Sequence, residues 1–131
     1  VGLAFQISDD VADLRGLSAP DGDGGRDATK HMAEDLRAGK VTMPLAHAVA
    51  LLPSHEITDL WHTVRDGEAD EAAIAAAATK LEDCGAVAAC VEESRSRVDQ
   101  AWKPLHDLLP CTWASIMMRA LGAYAVHRER E

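Results

Sequence analysis

Asp9, Asp10 and Asp13 are the residues in this chain whose type and spacing point most directly to chemistry. At helical period Asp9 and Asp13 share one face, Asp10 lies three residues before Asp13, and Leu3, Ile7, Val11 and Leu14 form an apolar stripe beside them. Like charges at this spacing repel by roughly 0.2–0.5 kcal/mol per pair on an exposed helix, and by more when partly buried. The patch therefore calls for a cation. A solvated acidic face is the plainer reading, but the apolar stripe favours a patch that looks into a cavity. Carboxylate oxygens without His or Cys nearby suit Mg²⁺, which keeps several waters and takes further ligands from a substrate's phosphates.

Lys40 and Thr42 are the second candidates. Gly39 breaks any helix begun at Met32, Pro44 fits the first turn of the next helix, and Leu45, Val49 and Leu52 supply that helix's buried stripe up to Pro53. Lys40 and Thr42 thus fall at a helix start, where free backbone N–H groups and the dipole add to the lysine's charge in holding an anion. A surface lysine on a loop is the alternative. Other constellations fail. His55 and His62 share a helical face but have no third ligand for zinc. A calcium loop opening at Asp21 meets Gly25, Arg26 and Met32 where Asp or Asn, Gly and Glu are required.

Helices must position these groups. Gly16 to Thr29 holds Pro20, Asp21-Gly22-Asp23-Gly24-Gly25 and Arg26-Asp27, which is turn chemistry and reads as a loop. From Ser54, a plausible N-cap, a short helix carries Ile57, Leu60, Trp61 and Val64 inward and ends near Asp66-Gly67. Ala69 to Asp83 is alanine-rich helix, suited to close packing. Gly85 to Leu109 reads as one long helix with Val87, Val91, Val98, Trp102, Leu105 and Leu109 inward, and Glu92, Glu93, Arg95 and Arg97 facing water. A last helix from about Thr112 to Arg128 is expected to bury Trp113, Ile116, Met117, Ala120, Leu121 and Tyr124. No strand pattern, internal repeat, Gly-rich nucleotide loop or nucleophile–base pair is present, and the fold class is all-α.

The 131 residues suit one domain, and 47% hydrophobic content is enough for a core. A net charge of −9 leaves no basic stripe for nucleic acid, so any phosphate is bound through metal and a few placed lysines. Cys84, Cys90 and Cys111 form no C-x-x-C pair and no disulfide framework, which fits a reduced, cytoplasmic setting. No apolar run reaches the roughly 18 residues of a membrane span. The chain opens at Val1 inside an apolar helical pattern with no cap before it, and reads as part of a longer chain.

The run Leu3-Ala4-Phe5-Gln6-Ile7-x-Asp9-Asp10-x-x-Asp13, followed by Lys30 and by Asp35-Leu36-x-x-Gly39-Lys40-x-Thr42-x-Pro44-Leu45, resembles the second half of trans-type isoprenyl diphosphate synthases, the polyprenyl synthetases. Cys84-Gly85-Ala86 and Ala123-Tyr124-Ala125-Val126-x-Arg128 are similar to the family's late helix and ending. Two departures stand out: Thr29-Lys30 replaces the family's Gly-Lys, and Ala33 replaces a Gly.

The resemblance implies the isoprenoid synthase fold around a central cavity, with residues 1–131 as a partial polyprenyl synthetase domain whose N-terminal half lies elsewhere in the same or a partner chain. It implies a transferase that condenses isopentenyl diphosphate head-to-tail with an allylic diphosphate, assisted by Mg²⁺, and it implies a dimer. On this mapping Asp9 holds the metal, Asp10 and Asp13 are ligands or hold its waters, and Lys30 and Lys40 grip the allylic diphosphate beside Thr42. Phe5 and Gln6 face the isopentenyl side, and Arg128 closes over a diphosphate. A non-catalytic partner subunit of a prenyl synthase and a diverged class I terpene synthase-like enzyme are the alternatives. A second Asp-Asp-x-x-Asp with a basic pocket upstream would favour the synthase, and upstream acids without that pocket the terpene synthase. An intact acidic triad with both lysines argues against a purely regulatory subunit.

Overall fold

The structure, a computed structural model, describes residues 1–16 and 32–127. Among these residues seven helices and no strand are found: α1 (Gly2–Leu14), α2 (Glu34–Arg37), α3 (Met43–Leu51), α4 (Ser54–Val64), α5 (Glu71–Asp83), α6 (Ala86–His106) and α7 (Trp113–Val126).

The core forms where the helices turn their apolar faces together. Ile7, Val11 and Leu14 of α1 meet Leu36 of α2, Leu45 and Ala48 of α3, Leu60 and Val64 of α4, and Val87 and Cys90 of α6. Helix α5 adds Ile74, Ala77, Ala78 and Leu81, its alanines allowing the close approach that their small volume permits. Each large aliphatic side chain buried here contributes roughly 1.5–3 kcal/mol. The 21-residue α6 is the spine of the arrangement and packs against α1, α3, α5 and α7.

Local signals set several boundaries. The Asp70 carboxylate accepts the Ala73 N–H at 2.7 Å and starts α5. Thr112 and Ser115 form a capping box at the head of α7. Gly39, at φ +70°, lies so close to the end of α4 that a Cβ would sit 2.4 Å from the Arg65 carbonyl oxygen. The turn between α2 and α3 is thereby pinned to α4. At the head of α4, Pro53 occupies the N-cap and Ser54 begins the helix, so Ser54 is not the cap.

The largest departure from the sequence expectation is α7. Trp113, Ile116, Met117, Leu121 and Tyr124 are exposed, and the residues it buries are Gly122 and Val126. Helix α7 turns a face of small residues to its neighbours, where Val126 joins Ala4 of α1 and Val98 of α6 in a second, smaller cluster. Small side chains let backbones approach, whereas the large ones have nothing among the described residues to pack against. For the same reason Leu3, Val49, Leu105 and Leu109 are exposed, and α3 buries Pro44, Leu45 and Ala48 instead. Glu93, expected to face water, is half-buried between α3 and α6.

Candidate functional site

The acidic patch sits where α1, α2 and α3 meet. Asp9 is exposed, one turn beyond the exposed Phe5 and Gln6, while Asp10 and Asp13 are half-buried. The two half-buried carboxylates hold backbone in place. Asp10 Oδ2 accepts the Met43 N–H at 2.8 Å, at the first residue of α3. Asp13 Oδ2 accepts the Asp35 N–H at 3.0 Å in the first turn of α2, and the Asp13 carbonyl accepts the Ala33 N–H at 2.9 Å. Neither short helix has a cap from its own preceding side chain, so α1 supplies both from a distance.

Ala33 precedes α2 with φ 59°, a left-handed conformation, and is fully buried. This is the position at which the resembled pattern has Gly, the residue that adopts that conformation without a Cβ penalty. Alanine holds it here because the Ala33 N–H is tied to Asp13 on one side and the Ala33 carbonyl accepts from Arg37 on the other.

Lys40 is the cation that the structure sets beside Asp35, close to Asp10 and Asp13. Its Nζ donates to Asp35 Oδ1 at 2.5 Å, and its backbone N–H donates to the Asp35 carbonyl. Asp35, with Asp13 and Asp10 behind it, holds the Lys40 ammonium above its ordinary range. Burial pushes the Asp10 carboxyl up against the pull of the Met43 N–H, and Asp35 and Asp9 push it further. Three carboxylates, of Asp35, Asp13 and Asp10, thus act on one ammonium, with Asp9 beside Asp10.

Thr42 is buried at the N-cap of α3, and its Oγ1 has no hydrogen-bond partner. The expected row of free N–H groups at this helix start is absent, because Asp10 takes the Met43 N–H and Pro44 has none. Lys30 and Arg128 lie outside the described residues.

Among the described residues no three His, Cys, Asp or Glu side chains converge into a cage for a metal. The donor set nevertheless fits Mg²⁺, which takes one or two carboxylates and completes its shell with water and phosphate oxygens. Asp10 and Asp13 each give one oxygen to a backbone N–H.

Beyond the acids, α3 and α6 are joined by a contact that no short-range pattern announces. His47 Nε2 lies 2.7 Å from Glu93 Oε2, and Arg97 pairs with Glu93 Oε1 at 2.6 Å. Cys90, one turn earlier on α6, is buried, and its thiol is pushed up to about 12 by that burial, then by Glu93 and Asp10.

The chain is all-helical, and its acidic helix meets a lysine-bearing turn. A family model, described as polyprenyl synthetase, matches residues 1–81, and the chain belongs to that family. Its all-α architecture agrees with the isoprenoid synthase fold. Family membership supports a prenyltransferase-type function in general; members act on isoprenyl diphosphates, bind allylic and isopentenyl diphosphates, and are generally Mg²⁺-dependent. The match ends at Leu81, so the likeness of the Cys84 and Arg128 segments lies outside it. No curated protein and no solved structure matches the chain. No described helix is long and apolar enough to cross a membrane.

Proposed function

We propose that residues 1–131 are part of a single polyprenyl synthetase domain and supply the second aspartate-rich half of an active site. The reaction is head-to-tail condensation of isopentenyl diphosphate with an allylic diphosphate. The sequence holds one Asp-Asp-x-x-Asp, and the other acidic half comes from the same or a partner chain, in an enzyme that works as a dimer.

The observation that carries this reading is the crowding of Asp10, Asp13 and Asp35 around Lys40, with Asp9 beside Asp10. Asp9, the exposed member, would hold Mg²⁺, with Asp10 and Asp13 as further ligands or holding its waters. Mg²⁺, when bound, supplies positive charge to the diphosphate that leaves the allylic carbon. Lys40 spends one of its three N–H donors on Asp35 and offers the others to that diphosphate, stabilising the charge that develops. The Thr42 hydroxyl, buried and unpartnered, donates to a phosphate oxygen. Phe5 and Gln6, one turn before Asp9, face the isopentenyl side. Lys30 and Arg128 add positive charge to the diphosphates.

Calorimetric titration with a non-hydrolysable isoprenyl diphosphate analogue, with and without Mg²⁺, tests this. Binding that needs Mg²⁺, disappears in Asp9→Ala and weakens in Lys40→Gln is expected. In the complete enzyme Asp9→Ala should lower turnover by about a hundredfold or more with the fold intact, as loss of a metal ligand does. Analogue binding that ignores both Mg²⁺ and Asp9→Ala, or unchanged turnover, overturns the assignment.

A further inference from the structure

Further along α6 from Glu93, Trp102 and His106, about 14 and 20 Å away, form a second site with α7. Arg95 Nη2 lies 3.4 Å from His127 Nε2, and Gly122 lies against Val98, so the two helices run antiparallel. That register brings Trp102 level with Arg119 and His106 level with Ser115. A broad cleft of about 830 Å³ opens there, with Asp99, Lys103 and Asp107 on its walls. It shares Trp102, His106 and Arg119 with a narrower recess of about 200 Å³, which Leu109 and Ile116 also line.

Three observations concern this recess. No carboxylate lines it, in a chain of net charge −9. The Trp102 Nε1–H is buried without a hydrogen-bond partner, which leaves a donor unsatisfied. The Arg119 guanidinium makes no hydrogen bond or ion pair among the described residues. Guanidinium and indole only donate, so what completes them is an acceptor, and the charge of Arg119 selects an anion. The indole ring, Ile116 and Leu109 offer apolar surface beside those donors.

We propose that this recess binds an anionic amphiphile, its oxyanion held by Arg119 and the Trp102 Nε1–H and its hydrocarbon chain laid on Leu109, Ile116 and the indole. The site is independent of the aspartates. Glu92, Asp99 and Asp107 line the broad cleft and not the recess, which favours an anion in the recess.

The test is calorimetric titration of the whole chain with dodecanoate and with dodecyl phosphate, below micelle formation, against dodecanol and inorganic phosphate. Arg119→Gln and Trp102→Phe are titrated in parallel, with circular dichroism to verify their folds. Saturable binding of at least one of the two anionic amphiphiles is expected, and the tighter one identifies the headgroup. Arg119→Gln should weaken it by about tenfold, the loss of one charge-assisted hydrogen-bonded contact, and Trp102→Phe by a smaller factor because the ring remains. Equal binding of dodecanol, unchanged affinity in Arg119→Gln, or no binding of either anionic amphiphile overturns the proposal. Dodecanol binding would instead reflect adsorption on the exposed apolar side of α7.

Discussion

Asp10 Oδ2 accepts the Met43 N–H at 2.8 Å, which makes a carboxylate of α1 the cap of a helix that begins 33 residues later. The same carboxyl is held above the usual carboxylate range by burial and by Asp35 and Asp9. A carboxyl whose folded pKa is raised adds stability below its unfolded value of 3.8 that is lost as pH rises through the folded value. At neutral pH its charge is therefore a burden on the fold while its oxygen is an asset. Asp10→Asn keeps the oxygen and removes the charge, and its urea midpoint at neutral pH should equal or exceed that of the parent. Asp10→Ala loses the cap and should lie about 1 kcal/mol below the Asn variant. Equal stabilities of the two variants would refute the cap.

Glu93 behaves oppositely. Arg97, and after it His47, hold its carboxyl below the ordinary range. Its contribution is present above the unfolded value of 4.5 and is lost as pH falls through the folded value. Glu93→Gln should cost about 0.5–1 kcal/mol at neutral pH, the scale of a partly exposed ion pair. The gap from the parent should close as the medium is acidified below 4.5, in urea melts at a series of pH values. A gap independent of pH would mean that packing, not charge, joins α3 to α6 here.

The three cysteines should separate cleanly in alkylation. Cys111 is exposed, Cys84 half-buried, and Cys90 buried with its thiol pushed up to about 12. Because the thiolate is the nucleophile, iodoacetamide at about pH 8 should modify Cys111 first and Cys84 more slowly, and should reach Cys90 only after denaturant is added. Peptide mapping of native, briefly treated protein reads this order. Early labelling of Cys90 would contradict its place in the core.

Gly39 combines a left-handed φ of +70° with backbone contact to Arg65. Gly39→Ala puts a Cβ where none fits and should destabilise the chain by about 2–4 kcal/mol. It should also shift Lys40, the next residue, and so weaken diphosphate binding. Ala33→Gly, at the other left-handed position, should stay within about 1 kcal/mol of the parent, since relief of strain offsets a lost methyl and a freer unfolded chain. Ala33→Val should cost about 2–4 kcal/mol, because a β-branched residue resists positive φ and the site is fully buried. Thermal melts of the three variants give the ranking.

What the sequence determined by itself is what depends on neighbours within a few residues. The helical period of α1, the crowding of Asp9, Asp10 and Asp13, the break at Gly39, the start at Pro44 and the helical reading of Ala69 to Asp83, observed as Glu71–Asp83, are all of that kind. The acids of α1 are expected to attract a cation; the structure pairs the Lys40 ammonium with Asp35, near Asp10 and Asp13. Tertiary structure alone decided which groups answer which. Asp10 and Asp13 cap helices 33 and 22 residues away, and Glu93 finds His47 across 46 positions, distances at which periodicity carries no information. Periodicity also says that α7 has an apolar face without saying what covers it. Its large side chains were expected inward, yet the packed face is that of Gly122 and Val126, because the closest approach to Val98 and Ala4 goes to the smallest residues.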